Sequence, residues 1–417
     1  MLVFIAFFIT LLFYARFSYI FTDKNLVLTS HPLYWETQTY LWQNLSGNAV
    51  LLCVVLVLII TILCICYFFL LKKLKKNSQN FWLYLAIISP LFFSYNALSH
   101  DIFNYLFNAK MVLVYQQNPH LVSALEFADI DTWVRFMHNV HTAAPYGYGW
   151  TALSLIPSTL GFGKFTLTLL SFRVFTLFGL AFLYYSLQHL STTLNKRRLH
   201  QHELALVFLN PLFLIEIISN YHNDIWMMAP AVLSISILLR TFTANLPRKN
   251  QVTHFSIAVL FLLVSISIKL VTVVLVPFFA VAGMVLFFLP NNRWSRYLAV
   301  IPTHFISKIQ EKVFTTLPTL LVIAFFLPLL TLRSQQFLPW YLIWSLVWLP
   351  FVKNTTVKNT ILIFSVTSLF RYVPWIYNSF EYSSAVLSQQ KMITWSIPLL
   401  YLALKVSSKK NTYVQKI

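Results

Sequence analysis

The chain has 417 residues, 58% of them hydrophobic and 10% charged, with a mean hydropathy of +0.70. Length alone would allow two or three soluble domains, but this balance excludes them and describes a chain that is mostly membrane. The net charge of +19 does not point to a nucleic-acid partner. Its Lys and Arg residues gather in short clusters between apolar runs, the pattern of cytoplasmic loops in a polytopic protein.

In chain order, apolar runs long enough to cross a bilayer, or somewhat shorter where neighbours shield their ends, mark about twelve spans. They fall near 3–20, 49–71, 81–98, 166–190, 203–219, 225–240, 254–268, 270–289, 314–331, 340–352, 359–373 and 392–407. The expected fold is thus all-α and integral to the membrane, one polytopic unit over 1–417. Helices in 1–98 lead to a long non-cytoplasmic loop, 99–165, and then to a helical bundle, 166–417. The opening run lacks a basic n-region and a small-residue cleavage site, so it reads as a retained helix. Residues 254–289 form one apolar stretch, divided here at Lys269 because a lysine is tolerated at an interface far better than at mid-bilayer. Cys53, Cys64 and Cys66 share one apolar run and suggest neither a disulfide framework nor a zinc site.

Orientation follows from the basic clusters. Lys72-Lys73-Leu74-Lys75-Lys76, Lys196-Arg197-Arg198, Arg248-Lys249, Arg293 with Arg296, Lys353 with Lys358, and Lys409-Lys410 all fall on one side, which should be cytoplasmic. The loop 99–165 and Asn220–Asp224 then share the opposite side, and 149–162 must be interfacial or re-entrant. Within the loop, Met111–Val114 and Asp131–Met137 read as short amphipathic helices on the membrane surface.

Of the eleven acidic residues, only Asp101, Glu216 and Asp224 lie in or beside these spans, where a carboxylate is costly and so a functional candidate. Asp101, Tyr105 and Asn108 have i, i+4, i+7 spacing, which puts them on one face of a helical loop start. A carboxylate with such neighbours suits a general base. Asp is also a favoured N-cap residue, and the spacing leaves both readings open. Asn220-Tyr221-His222-Asn223-Asp224, between two spans on the same side, offers contacts to a sugar, a partner that orients Asp101, or a phosphate ligand in His222. Against this stands an ordinary polar turn, with Asp224 favoured by the helix dipole. Lys269, Arg333 and Arg371 lie at outer ends of three spans, where they suit a phosphate or snorkel to headgroups. Asp129 and Asp131 have the spacing of a metal-binding pair, a common one in loops, and no metal is expected. Trp340, Tyr341, Trp344 and Trp348 read as interface belt and packing.

Several of these segments together resemble one family. Asp101-x-x-x-Tyr105, Asn118-Pro119, Ala144-Pro145-Tyr146-Gly147, Asn210-Pro211, His222-Asn223-Asp224, Lys269-Leu270 with Pro277, and Pro339-Trp340-Tyr341 look like GT-C-fold glycosyltransferases. The closest likeness is to the polyprenol-phosphate-mannose-dependent mannosyltransferases of bacterial envelopes, over about residues 90–350. The resemblance implies a multi-pass enzyme of a prokaryotic cytoplasmic membrane with its active site on the outer face. It implies inverting transfer of a hexose, expected to be mannose, from a polyprenyl-phosphate donor to a hydroxyl of a glycan or glycolipid. No nucleotide or metal cofactor is expected. Asp101 stands at the family's catalytic base, with Tyr105, Asn108, Tyr146, His222, Asn223, Asp224, Lys269, Arg333 and Arg371 as substrate-binding candidates. Tyr148 and His120 depart from the family pattern, which bears on acceptor and sugar identity. The rival class is a transporter or lipid flippase, but the chain has no internal repeat and its polar groups gather at one face.

Overall fold

A backbone surrounded by hydrocarbon must satisfy its own hydrogen bonds, and apolar runs of this length do so as helices. The computed structural model describes residues 2–74, 81–244, 246–287, 303–331, 337–381 and 383–414, and no strand occurs among them. The α-helices are α1 (Leu2–Ser18), α2 (Pro32–Asn44), α3 (Ala49–Lys73), α4 (Phe81–Ile88), α5 (Asp101–Leu113), α6 (Tyr148–Leu160), α7 (Phe165–Asn195) and α8 (Gln201–Phe208). They continue as α9 (Pro211–Phe213), α10 (Asp224–Thr243), α11 (Arg248–Ile268), α12 (Val276–Phe287), α13 (Thr303–Phe326), α14 (Ile343–Leu346), α15 (Thr355–Phe370), α16 (Tyr372–Tyr377) and α17 (Ser384–Val414). A π-helix, Leu214–Ser219, follows α9 directly.

Seven helical segments among the described residues are long and apolar enough to cross a membrane, and eight if α8 and the 211–219 segment, bent by 49°, form one broken span. The expected twelve are therefore met in part. Phe81–Phe93 and Phe314–Leu330 are apolar but shorter. The expected span 340–352 is not one helix. Pro339 opens one 3-10 turn and Pro350 is the second residue of another, on either side of the four-residue α14, because proline removes the N–H that a continuous helix needs. Leu342–Leu349 is buried apart from no more than a sliver of Trp344, and broken backbone at membrane depth is tolerated where protein covers it.

The division at Lys269 holds: α11 stops at Ile268 and a 3-10 turn, Leu270–Leu275, follows. α6 has 13 residues, a length of about 20 Å against a hydrocarbon core of about 30 Å. Two expected surface helices differ from the structure. Met111–Val114 is not a separate helix but the end of α5, with Met111 fully buried while Leu113 and Val114 are exposed. Asp131–Met137 is a 3-10 turn, Thr132–Phe136, with the Asp131 carboxylate accepting from the Trp133 N–H. The region 22–48 contains α2, started by Pro32 at its first position.

α10 packs between α7 and α11. In the most apolar window of α10 72% is buried, against 22% in α11 and in Leu270–Phe287, so α10 is interior and the other two face outward. One apolar core runs from Phe7 to Ile376. It brings the N-termini of α5, α7 and α10 and the C-termini of α11 and α15 to one end of the bundle, as the contacts below show.

Candidate functional site

The site is built on the link between the π-helix and α10. Pro211 starts α9, with the Asn210 side chain capping the Leu212 N–H at 3.0 Å. The π-helix then widens the turn, a distortion found frequently at functional sites. It carries Glu216, fully buried. An unpaired carboxylate there would be costly by several kcal/mol. Glu216 instead accepts from the Asn220 amide at 3.0 Å and the Tyr372 hydroxyl at 2.7 Å. Five residues on, Tyr221 has φ +58°, a left-handed backbone that costs a non-glycine residue about 1–2 kcal/mol. Through that turn Tyr221 reaches Arg173 while His222 reaches Asp101.

His222 is the hub. Its Nδ1 is 3.4 Å from Asp101 Oδ2 and its Nε2 is 3.3 Å from Glu216 Oε2. Both are ion-pair contacts without hydrogen-bond geometry. The Trp340 ring stacks on the imidazole at 3.9 Å. Burial opposes protonation of His222, but the two carboxylates outweigh it and raise its pKa to about 9. Asp101 is the first residue of α5; the cap position is His100, whose side chain caps nothing. Its carboxylate thus turns towards His222 and away from its own helix end. Its side chain keeps 18% exposure while that of His222 has none, so the acid has one open face. Burial works against the Asp101 carboxylate, yet His222, the adjacent Tyr146 hydroxyl and Lys269 together hold its pKa below the usual 3.8.

Two glycines set Tyr146 in place. The Gly147 N–H donates to the Ile268 carbonyl at 3.0 Å, and a Cβ on Gly147 would lie 2.0 Å from the Ser267 carbonyl oxygen. A Cβ on Gly149 would meet Ser267 Oγ at 2.1 Å. Only glycine lets the loop lie against the end of α11, which sets Tyr146 beside Asp101 and Tyr105. Burial, then the Asp101 charge, raises both tyrosines well above 10, so they act as neutral donors. Tyr105 also receives the Asn223 N–H at 3.4 Å. The Asn223 side-chain amide is buried and makes no hydrogen bond. Asp224, first in α10, takes Lys269 Nζ at 2.9 Å on Oδ1 and also the Trp344 indole N–H; its Oδ2 is buried without a partner. Lys269 lies over the Tyr341 and Trp344 rings.

Asp101, Tyr105, Tyr146, His222, Asn223, Asp224 and Lys269 thus converge. Asn108 is buried two turns along α5 from Asp101, and Arg371 is buried at the end of α15, next to Tyr372. Arg333 lies outside the described residues, as do Lys75, Lys76, Arg293 and Arg296. Glu216, Tyr372, Trp340 and Trp344 were not among the expected binding residues. For Glu216 a signal existed, an acid inside the apolar run 211–218. Asp131 serves its own loop: Lys110 and the Tyr115 hydroxyl contact its carboxylate. Asp129 is exposed, and no group of three potential metal ligands occurs among the described residues.

No curated protein and no solved structure matches the chain. One family model does, described as alpha-(1->6)-mannopyranosyltransferase, N-terminal domain, and it covers residues 23–285. That match takes in more than half of the chain, including Asp101, Tyr146, Glu216, His222 and Lys269. A transporter or flippase is thereby set aside: the chain belongs to the alpha-(1->6)-mannopyranosyltransferase family and is a membrane mannosyltransferase.

Proposed function

We propose that this mannosyltransferase draws mannose from a polyprenyl-phosphate donor at the outer face of a prokaryotic cytoplasmic membrane and adds it to a hydroxyl of a glycan or glycolipid. Asp101 is the general base. The carrying observation is a mostly buried carboxylate with one open face, held ionised by a fully buried imidazolium. The acceptor hydroxyl meets the open face of Asp101, its oxygen bonds to C1 of the sugar, and its proton passes to the carboxylate. The C1–O bond to phosphate breaks, and polyprenyl phosphate leaves with the electron pair. A carboxylate of lowered pKa is a weak base, so it accepts the proton late, once bonding to C1 has made the hydroxyl acidic. Attack opposite the leaving group inverts C1, so the alpha product named for the family requires a beta-linked donor.

The other residues divide the remaining work. Tyr105 and Tyr146 stay protonated and donate near the reacting hydroxyl. The unpaired Asn223 amide and Asp224 Oδ2 offer hydrogen bonds to sugar hydroxyls. Lys269 supplies positive charge close to Asp101 as phosphate charge develops. This reading uses no metal, since Asp131 is engaged by Lys110 and Tyr115.

Asp101→Asn tests it. The amide keeps the shape of the acid but cannot take a proton, so transfer should fall by about 10²–10⁴, with folding and donor binding retained. A mutant that transfers mannose at nearly the wild-type rate, measured alongside donor binding, sinks the assignment.

A further inference from the structure

Arg173 lies in α7, outside the chemistry described above. It is 8% exposed, and among the described residues no carboxylate lies within 4.0 Å of it. Only Nη1 has a hydrogen bond, to the Phe92 carbonyl at 3.3 Å; Nε and Nη2 are buried and make none. The guanidinium lies 5.4 Å from the centre of the Tyr221 ring, next to the Tyr19 hydroxyl, which donates to the Phe93 carbonyl, and within electrostatic reach of Tyr95. The Tyr221 and Tyr95 hydroxyls are likewise buried and without a hydrogen bond. Asp23, within electrostatic reach of Tyr95, is exposed and accepts from Asn25.

A buried cation without a counter-charge is strongly unfavourable, and buried donors without acceptors add to that. Nε and Nη2 of one guanidinium form the fork that binds two oxygens of a phosphate, and the tyrosine hydroxyls can donate to further oxygens. We infer that Arg173, Tyr221 and Tyr95 form an anion site for the phosphate of a lipid phosphate ester. Two observations give the route of entry. Phe93, Leu170 and Val174 around Arg173 are 73%, 45% and 53% exposed, an apolar surface along which a lipid chain can lie. Tyr221 adjoins His222 in sequence, so this site and the Asp101–His222 pair hang on one turn. The inference rests on the proposed use of a lipid-phosphate donor, and it assigns that donor's phosphate to a cation other than Lys269.

The test measures binding by the purified full chain in detergent, with three probes: a short-chain polyprenyl phosphate lacking sugar, phosphatidylglycerol micelles and inorganic phosphate. Arg173→Gln should weaken polyprenyl phosphate binding on the order of ten- to a hundredfold. Arg173→Lys, which keeps the charge but loses the fork, should fall between. Tyr221→Phe keeps the ring and removes only the hydroxyl, so it covers the case in which Arg173→Gln does not fold; it should weaken binding on the order of tenfold. An Arg173-dependent response to phosphatidylglycerol equal to that for polyprenyl phosphate assigns the site to headgroups in general, and one to inorganic phosphate alone overturns the lipid assignment. Binding of all three probes unchanged in Arg173→Gln and Tyr221→Phe overturns the site. Asp101→Asn should bind polyprenyl phosphate like the wild type, so failure of the base assignment shows in transfer and failure of this site shows in binding.

Discussion

His222 sets the charge balance around Asp101, the proposed base. Its two nitrogens face two carboxylates, 3.4 and 3.3 Å away, so its proton balances charge that would otherwise be buried alone. The folded pKa of about 9 lies above the unfolded value near 6.5. A raised pKa means that the protonated form is preferred by the folded state. The associated stability is therefore present in full below about pH 6.5 and is lost as pH climbs through about 9. Transfer should decline over the same range, because a neutral imidazole no longer holds the charge of Asp101 in place. His222→Gln should be slower throughout and should lack that alkaline limb in both rate and melting temperature. An alkaline limb of unchanged position in His222→Gln would assign it to another group.

At the scale of elements, the Pro-Tyr-Gly turn shows how a short motif controls the site. Gly147→Ala places a methyl group against the Ser267 carbonyl, backbone that cannot rotate away, and overpacking of this kind costs about 1–3 kcal/mol or more. Gly149→Ala meets the Ser267 hydroxyl at 2.1 Å, an end that can turn, with the Ser267 Cβ and backbone carbon at 2.8 and 2.9 Å, so its backbone clash is the milder of the two and it should cost less. Melting temperature should rank the wild type first, then Gly149→Ala, then Gly147→Ala. Transfer by Gly147→Ala should drop further than its stability implies, because Tyr146 moves with the loop. Equal effects of the two changes would mean that the loop shifts freely. Much of this element level was legible in the sequence. The apolar runs became helices, Lys269 ended α11, and the spacing of Asp101 and Tyr105 put both on α5. The break at 339–352 was harder to foresee, since apolar composition there masks what two prolines do to the backbone. Glu216 stood out only as a costly acid without an assigned role, and Arg173 was missed, for a related reason: each is one polar residue in an apolar helix, and its partner lies far away in sequence.

At the scale of the whole molecule, charge divides the bundle by its ends. The 31 residues of α7 span about 46 Å. At its start Phe165 packs on Phe103 and Trp133, beside α5 and the Asp101 loop. At its far end Arg197 pairs with Glu203, and Lys358 lies within electrostatic reach of that same glutamate. The site end thus holds the buried acids, and the other end holds the exposed Lys196, Arg197 and Arg198, the arrangement expected if the second end faces the cytoplasm. Thiol labelling in intact cells separates the two. Ser219 is unsuited to it, being fully buried and bonded to Ser94 and the Tyr95 carbonyl. Asp129 and Lys196 are both exposed, on the loop and at the end of α7. The native Cys53, Cys64 and Cys66 are buried and give little background. A membrane-impermeant reagent should label Asp129→Cys in intact cells and Lys196→Cys only after the membrane is opened. The reverse pattern would place Asp101 on the cytoplasmic side, and a donor taken from the outer leaflet could then no longer reach it.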